Sequence, residues 1–182
     1  DLIPKLLERT GTNDKGSITA FYTVLVDGDD MNEPIADKVR GTLDGHIVLN
    51  RALAQSYHFP AIDVLQSVSR LGRRVTGIQT RKACGIIRQL MSTYQENETL
   101  INTGNYEAGR SASIDKAIEK HELIEEFLKQ EEYEKCSMEE SLKKLSELSE
   151  IEIPQEEYAE DSGTKILTTA QIADAAAKKD NL

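Results

Sequence analysis

Hydrophobic positions follow two different rules along this chain. Up to about residue 77 they come in short dense runs; beyond it they recur every three or four places. Leu2, Leu6 and Leu7 predict the end of an amphipathic helix, and Thr10 to Lys15 a turn. Ile18 to Val26 (ITAFYTVLV) is uncharged, β-branched and aromatic. A run apolar on both faces predicts a central parallel strand with helices on either side. Asp27-Gly28-Asp29-Asp30 ends it as a turn. Asn32 or Glu33 then precedes Pro34, which suits the first helical position because its missing N–H is unpaired there anyway. Ile35, Val39 and Leu43 give a helix its apolar face, and Gly45 ends it. His46 to Leu49 predicts another buried strand, Asn50 caps a short helix over Arg51 to Gln55, and Ser56 to Pro60 is a loop. The stretch to Arg70 reads as an edge loop. Strand, loop, helix, strand, short helix and edge loop together make the second half of an α/β nucleotide-handling domain.

After Gly77 the period becomes helical. Ile78 to Ile101 is one helix, with Ile86, Ile87, Leu90, Met91 and Tyr94 on one side, broken by Gly104 and Gly109. Ser113 caps a second helix running to Gln130, carrying Ile114, Ala117, Ile118, Ile124, Phe127 and Leu128. Ser137 and Glu140 have capping-box spacing and open a third, with Leu142, Leu145 and Leu148 as its stripe. These stripes read as core packing or as docking grooves. Glu150 to Gly163 is acidic and poor in apolar residues, the composition of a solvated linker. Thr164 to Leu182 predicts a short helix, either a tethered docking peptide or a frayed tail. The expected units are 1–77, 78–149 and 150–182.

The charge sharpens this division. Residues 1–110 carry 13 acidic and 13 basic side chains, and residues 111–182 carry 19 and 9, which accounts for the whole net charge of −10. No basic face is evident, so nucleic-acid binding is set aside. Two cysteines, Cys84 and Cys136, do not make a disulfide framework and read as free thiols in a reducing compartment. No apolar run approaches the roughly 20 residues of a membrane span. The start at Asp1, already in helical register, reads as the opening of the C-terminal piece of a longer protein. Gly11 to Ser17 and Gly72 to Gln79 approach the glycine spacing of a phosphate-binding loop, but neither has the lysine that reaches the phosphates. His58 stands at no metal-ligand spacing and reads as a loop histidine.

Four strings carry a more specific signal: KGSITAFYTVLVDGDDMNEPIADKVRGTLDGHIVLNR, FPAIDVLQSVSR, LMSTYQENETLINTGNY and EKCSMEESLKKL. In this order and spacing they resemble the ATPase of bacterial type III protein export, above all the flagellum-specific form, a relative of the catalytic subunits of rotary ATP synthases. The resemblance covers roughly Leu2 to Leu148 and leaves the last 30 or so residues outside it. It implies an α/β fold, the C-terminal remnant of a RecA-like P-loop ATPase domain followed by a small all-α C-terminal domain.

The resemblance also implies roles for particular residues. Arg70 matches the arginine of the SVSR string, which in the family reaches across a subunit interface to a neighbour's γ-phosphate; the alternative is a structural arginine in an inter-subunit ion pair. A permanent charge on a planar fork suits the phosphate role. Phe59 matches the aromatic that packs on the adenine ring, and Tyr94 lies near the second aromatic of that pocket with spacing offset by about one residue. Asp29, Asp30 and Glu33 are tempting as metal ligands, but the family loop they match faces a central channel and touches a stalk. ATP and Mg2+ are the implied cofactors, bound mainly by residues upstream of Asp1. The implied assembly is a homohexamer with a coiled-coil stalk protein, a peripheral regulator, export substrates and chaperones, at the cytoplasmic face of the bacterial inner membrane. Two other functions stay open: a non-catalytic rotary-ATPase-like subunit, and a helical module that docks substrates or chaperones. Flagellar and virulence systems are not separated.

Overall fold

The computed structural model describes residues 2–26 and 33–158. Its elements are α1 (Leu2–Leu7), β1 (Gly11–Asn13), β2 (Gly16–Ile18), α2 (Pro34–Thr42), β3 (Gly45–Leu49), α3 (Arg51–Gln55), β4 (Ile62–Ser69), α4 (Gly72–Val75), α5 (Ile78–Asn102), α6 (Ala112–Leu128), α7 (Met138–Ser149) and a 3₁₀ turn at Gln155–Glu157.

The strand expected over residues 18–26 does not form. The backbone leaves strand geometry after Ile18, and residues 16–18 pair with β1 as a small antiparallel hairpin, Gly11 opposite Ile18 and Asn13 opposite Gly16. The Asn13 side-chain oxygen accepts the N–H groups of Lys15 (2.8 Å) and Gly16 (3.0 Å), which fixes the tight turn. Phe21 and Leu25 are each 94% exposed. A central parallel strand needs a hydrogen-bonded neighbour on each edge and a helix over each face. Among the described residues no strand lies alongside 19–26, so its composition has no strand to pair with.

Pro34 opens α2 as expected, with Glu33 before it, but the helix ends at Thr42 and Leu43 is already extended. Gly45 opens β3 instead of closing the helix. The buried residue of α2 is Ala36, while Ile35 is 52% exposed; α2 packs against α1, whose Leu7 is also buried. Asn50 caps α3 as expected, its side chain accepting the Ala52 N–H at 2.9 Å.

β3 and β4 form an antiparallel ribbon, so a strand stands where the sequence pattern predicts an edge loop. Its alternation is broken by a bulge that hides the two-residue period of a strand. β3 itself is covered on one face only: Val48 is buried, and Ile47 and Leu49 are exposed.

The helices share one core of Ala83, Ile87, Leu90, Ala117, Ile124, Leu142, Leu145 and Ile153, with Ile86, Met91, Tyr94, Phe127, Leu128 and Leu148 packed against it. α5 buries Thr80, Ala83, Ile87 and Leu90, three or four residues apart. It ends with Gly104 at φ 70°, where the Asn105 N–H reaches the Leu100 carbonyl and the Gly104 N–H the Ile101 carbonyl. That pair of bonds closes a helix around a left-handed residue, the conformation glycine adopts without steric cost. The residue before α6 is Ser111, not Ser113. The capping box of α7 is present: Ser137 Oγ accepts the Glu140 N–H at 3.1 Å and Glu140 Oε2 accepts the Ser137 N–H at 2.8 Å.

The segment after α7, expected to be a solvated linker, is docked as far as Tyr158. Ile153 is 4% exposed inside the helical core. The Glu157 carboxylate accepts Thr80 Oγ1 (2.6 Å), Thr80 N–H (2.9 Å) and Gln79 N–H (3.2 Å). It thus satisfies amides at the start of α5 that have no partner within the helix. Gly77 makes room for it, since a Cβ there would lie 2.0 Å from Glu157 Cδ. Burial alone raises the Glu157 pKa, but these three hydrogen bonds outweigh it and hold the carboxyl below its ordinary value. Glu150, at φ 59°, accepts hydrogen bonds from Lys116 (2.7 Å) and Lys120 (3.0 Å), which hold its pKa down at about 2. Residues 159–182, with the expected terminal helix, lie outside the described residues.

Both carboxyls are depressed by folding. Their stabilisation is therefore complete above the ordinary carboxyl value of 4.5 and is lost as pH falls, for Glu150 down to about 2. Denaturant unfolding of the chain and of a Glu150→Gln/Glu157→Gln double variant should show a stability gap that is constant above about pH 5.5 and closes toward pH 2. A gap that stays constant down to pH 2 would show that the two carboxylates do not stabilise the fold.

Candidate nucleotide-facing site

Two of the sequence-predicted residues sit on either side of β4. Arg70 comes directly after its last residue, and Phe59 lies in the loop before its first.

The end of β4 is built by its bulge. Gly45 pairs with Ser69 and His46 with Val68, but then Val48 pairs with Asp63 and Leu49 with Ile62. Between these pairs β3 has Ile47 alone, while β4 has Val64, Leu65, Gln66 and Ser67. Asp63 closes this excess from inside. Its carboxylate accepts the Gln66 N–H (2.9 Å), the Gln66 side-chain amide (2.7 Å) and the Asn50 side-chain amide (3.2 Å). Burial raises its pKa, and the donors from Gln66, Asn50 and Leu65 outweigh burial and lower it. Ser67 Oγ donates to the Asp63 carbonyl (2.6 Å) and accepts the Val48 N–H (3.0 Å). At the far end Gly45 lets the strands approach, since a Cβ there would meet the Val68 carbonyl oxygen at 2.8 Å. The Arg70 N–H donates to the Asp44 carbonyl at 2.7 Å, and Ser69 Oγ accepts the Gly72 N–H at 3.0 Å. So both serines of SVSR shape the backbone around Arg70. The Arg70 side chain is exposed and forms no ion pair with a described carboxylate. A free guanidinium on a fixed backbone is suited to receive an anion.

The Phe59 loop is fastened to α6. His58 is 3% exposed, and its Nδ1 lies 2.9 Å from Glu125 Oε2. The Gln130 N–H donates to the Phe59 carbonyl at 2.9 Å. Phe59 is 47% exposed, and its ring is edge-on to Tyr57, centroids 5.6 Å apart. Tyr94 is placed differently. Its ring stacks on His121 at 3.6 Å, with 5° between planes, against the helical core. Neither aromatic pair among the described residues joins it to Phe59. Asp29 and Asp30 lie outside the described residues, and Glu33 is the residue before α2.

Sequence reasoning passed over three residues here and left the burial of a fourth unread. His58 is buried and paired where a plain loop histidine was expected. Asp63, Gln66 and Arg88 organise the bulge. The available signal was a carboxylate inside the apolar run AIDVL.

Residues 1–69 match the profile of the ATP synthase alpha/beta family, nucleotide-binding domain, and residues 76–147 match that of the T3SS EscN ATPase C-terminal domain. The first part of the chain is thus similar to the nucleotide-binding domain of the ATP synthase alpha/beta family, and the second to the C-terminal domain of type III secretion ATPases. Among curated proteins the chain is similar to the C-terminal part of flagellum-specific and type III secretion ATPases. It is 55% identical over 148 residues to the flagellum-specific ATP synthase of Bacillus subtilis, covering 81% of this chain and 34% of that protein. It is 52% identical over 146 residues to the SPI-2 type 3 secretion system ATPase of Salmonella typhimurium, covering 80% and 34%. The assembled ATPase EscN of enteropathogenic E. coli superposes with a TM-score of 0.79 at 44% identity, over 81% of this chain and 36% of that one. EscN solved with its central stalk EscO gives 0.74 at 42% identity, over 81% and 35%. The chain thus spans about a third of the length of these relatives.

Proposed function

We propose that this chain is the arginine-bearing C-terminal part of an ATP hydrolase that energises type III protein export. The observation that supports it most directly is Arg70: an exposed guanidinium, unpaired among the described residues, on a backbone fixed by a bulged strand. In this reading Arg70 acts on nucleotide held by a neighbouring subunit of a homohexamer. Phosphoryl transfer asks little covalent chemistry of a protein and much positive charge at the γ-phosphate. Phe59 offers an aromatic face to the adenine, gripping the base by shape. Tyr94 would join that pocket only from the helical side, since one face of its ring already carries His121.

Among the described residues no group of three or more His, Cys, Asp or Glu is placed to hold a metal ion. In this reading Mg2+ is bound mainly by residues of the longer protein outside this chain. By the resemblance, Asp29, Asp30 and Glu33 would contact a stalk protein. Substrates, chaperones and a peripheral regulator would complete the set of partners at the cytoplasmic face of the inner membrane. No helix among the described residues is long and apolar enough to cross a membrane.

The reading is tested on the chain alone and on the full-length protein together. The 182-residue chain should bind ATP weakly and hydrolyse none, because it has no phosphate-binding loop. The full-length protein should do both. Submicromolar ATP binding by the chain alone, in calorimetry, would overturn the assignment of phosphate binding to other residues.

A further inference from the structure

We propose that Arg88, on α5 of the helical part, is a positioning residue for Arg70: it buckles the bulge of β4 from outside and so sets where the strand delivers its arginine. The inference rests on the reading of Arg70 given above.

The bulge leaves Val64 to Ser67 facing Ile47 alone, so their carbonyl groups lack ladder partners. A guanidinium from another element takes up three of them. Arg88 Nη1 donates to the Val64 carbonyl and, at 3.5 Å, to that of Ser67; Nη2 donates to the Leu65 carbonyl at 2.9 Å. Among the described residues, all hydrogen bonds between α5 and β4 come from this one side chain. Arginine suits the task, since its planar fork presents several donors at fixed angles and never loses its charge.

Connectivity carries the effect to Arg70. Asp63 holds the start of the bulge and the Asp44 carbonyl holds the Arg70 N–H. Between these two points lie the unpaired Val64 to Ser67, which Arg88 holds from outside while Asp63 and Ser67 Oγ hold them from inside, and then Val68 and Ser69, which pair with β3. Bulges of this kind re-aim the side chains beyond them. The guanidinium of Arg70 has no described partner to correct an error in the backbone beneath it. Losing Arg88 therefore displaces Arg70 while leaving the Phe59 loop, which is held by His58–Glu125 and Gln130, in place. The helical part thereby acquires a direct grip on the residue proposed to meet the neighbour's nucleotide.

The test uses the full-length protein. Arg88→Ala should lower kcat by about 10- to 100-fold, the cost of misplacing a reacting group by about 1 Å, with KM for ATP within about twofold. Affinity for ADP–aluminium fluoride, a mimic of the transferring phosphoryl group, should fall by a similar factor while ADP affinity holds. In an Arg70→Ala background, single-turnover hydrolysis should fall less than about twofold further, because residues acting through one another are not additive. Arg88→Lys, which keeps charge and stem without the fork, and Asp63→Asn, which loosens the bulge from its other side, should show the same kcat-only pattern if Arg88→Ala fails to fold. Wild-type kcat and mimic affinity in Arg88→Lys and Asp63→Asn, or a loss fully additive with Arg70→Ala, would overturn the proposal. Arg70→Ala with near-normal turnover would instead overturn the underlying reading. An inactive Arg70→Ala beside a normal Arg88→Ala would sink this inference alone.

Discussion

Replacing Arg70 by alanine in the full-length protein should lower ATP turnover by about 10³-fold or more, the range an arginine finger contributes. ATP affinity of the isolated subunit should hardly change, because in the proposed reading the guanidinium acts on a neighbour's nucleotide. Arg70→Lys should not rescue, since a point charge on a flexible stem does not reproduce a planar fork. Mixing separates this role from an ordinary ion pair. Arg70→Ala subunits combined with subunits lacking the phosphate-binding lysine should regain some turnover, because one intact interface needs the arginine of one chain and the loop of the other. Arg70→Ala hexamers that assemble and turn over at near the wild-type rate would make Arg70 structural.

The second large effect belongs to the helical core. Ile124 is 2% exposed, the largest fully buried side chain among the described residues. It stands at the centre of a cluster to which α5, α6, α7 and Ile153 all contribute. Ile124→Ala should destabilise the helical part by about 2–5 kcal/mol, through lost apolar transfer plus the cavity left behind. Ile124→Val should cost about 0.5–1.5 kcal/mol. Denaturant midpoints followed by circular dichroism measure both. A loss under about 1 kcal/mol for the alanine variant would mean that the core closes over the gap and that Ile124 is not its centre.

The helical part was the more legible half. Its period of three to four, its capping box and its glycine stop are local signals, and each is satisfied by atoms within a few residues. The strand over 18–26 failed for the opposite reason: being a central strand is a relation to neighbours, and none is present among the described residues. β4 reads as a loop in the sequence because its excess residues break the alternation, so the feature that shapes the candidate site also conceals it. Arg70 and Phe59 are legible through their motifs. Arg88 is not, because its acceptors are main-chain carbonyls more than 20 residues away, and no side-chain pattern announces such a bond. The acidic stretch after Glu150 reads as linker because Ile153 and Glu157 are isolated anchors within it; two well-placed residues outweigh an unfavourable average.

The contact between Glu157 and the start of α5 bears on how this architecture is passed on. The carboxylate joins the last turn of the described chain to Gln79 and Thr80, so the helical unit begins and ends at one seam. A unit whose two ends meet can be cut out, copied or extended at that seam without threading new chain through its core. A change of length or sequence beyond residue 158 would leave the contacts of Ile153 and Glu157 that close the helices in place.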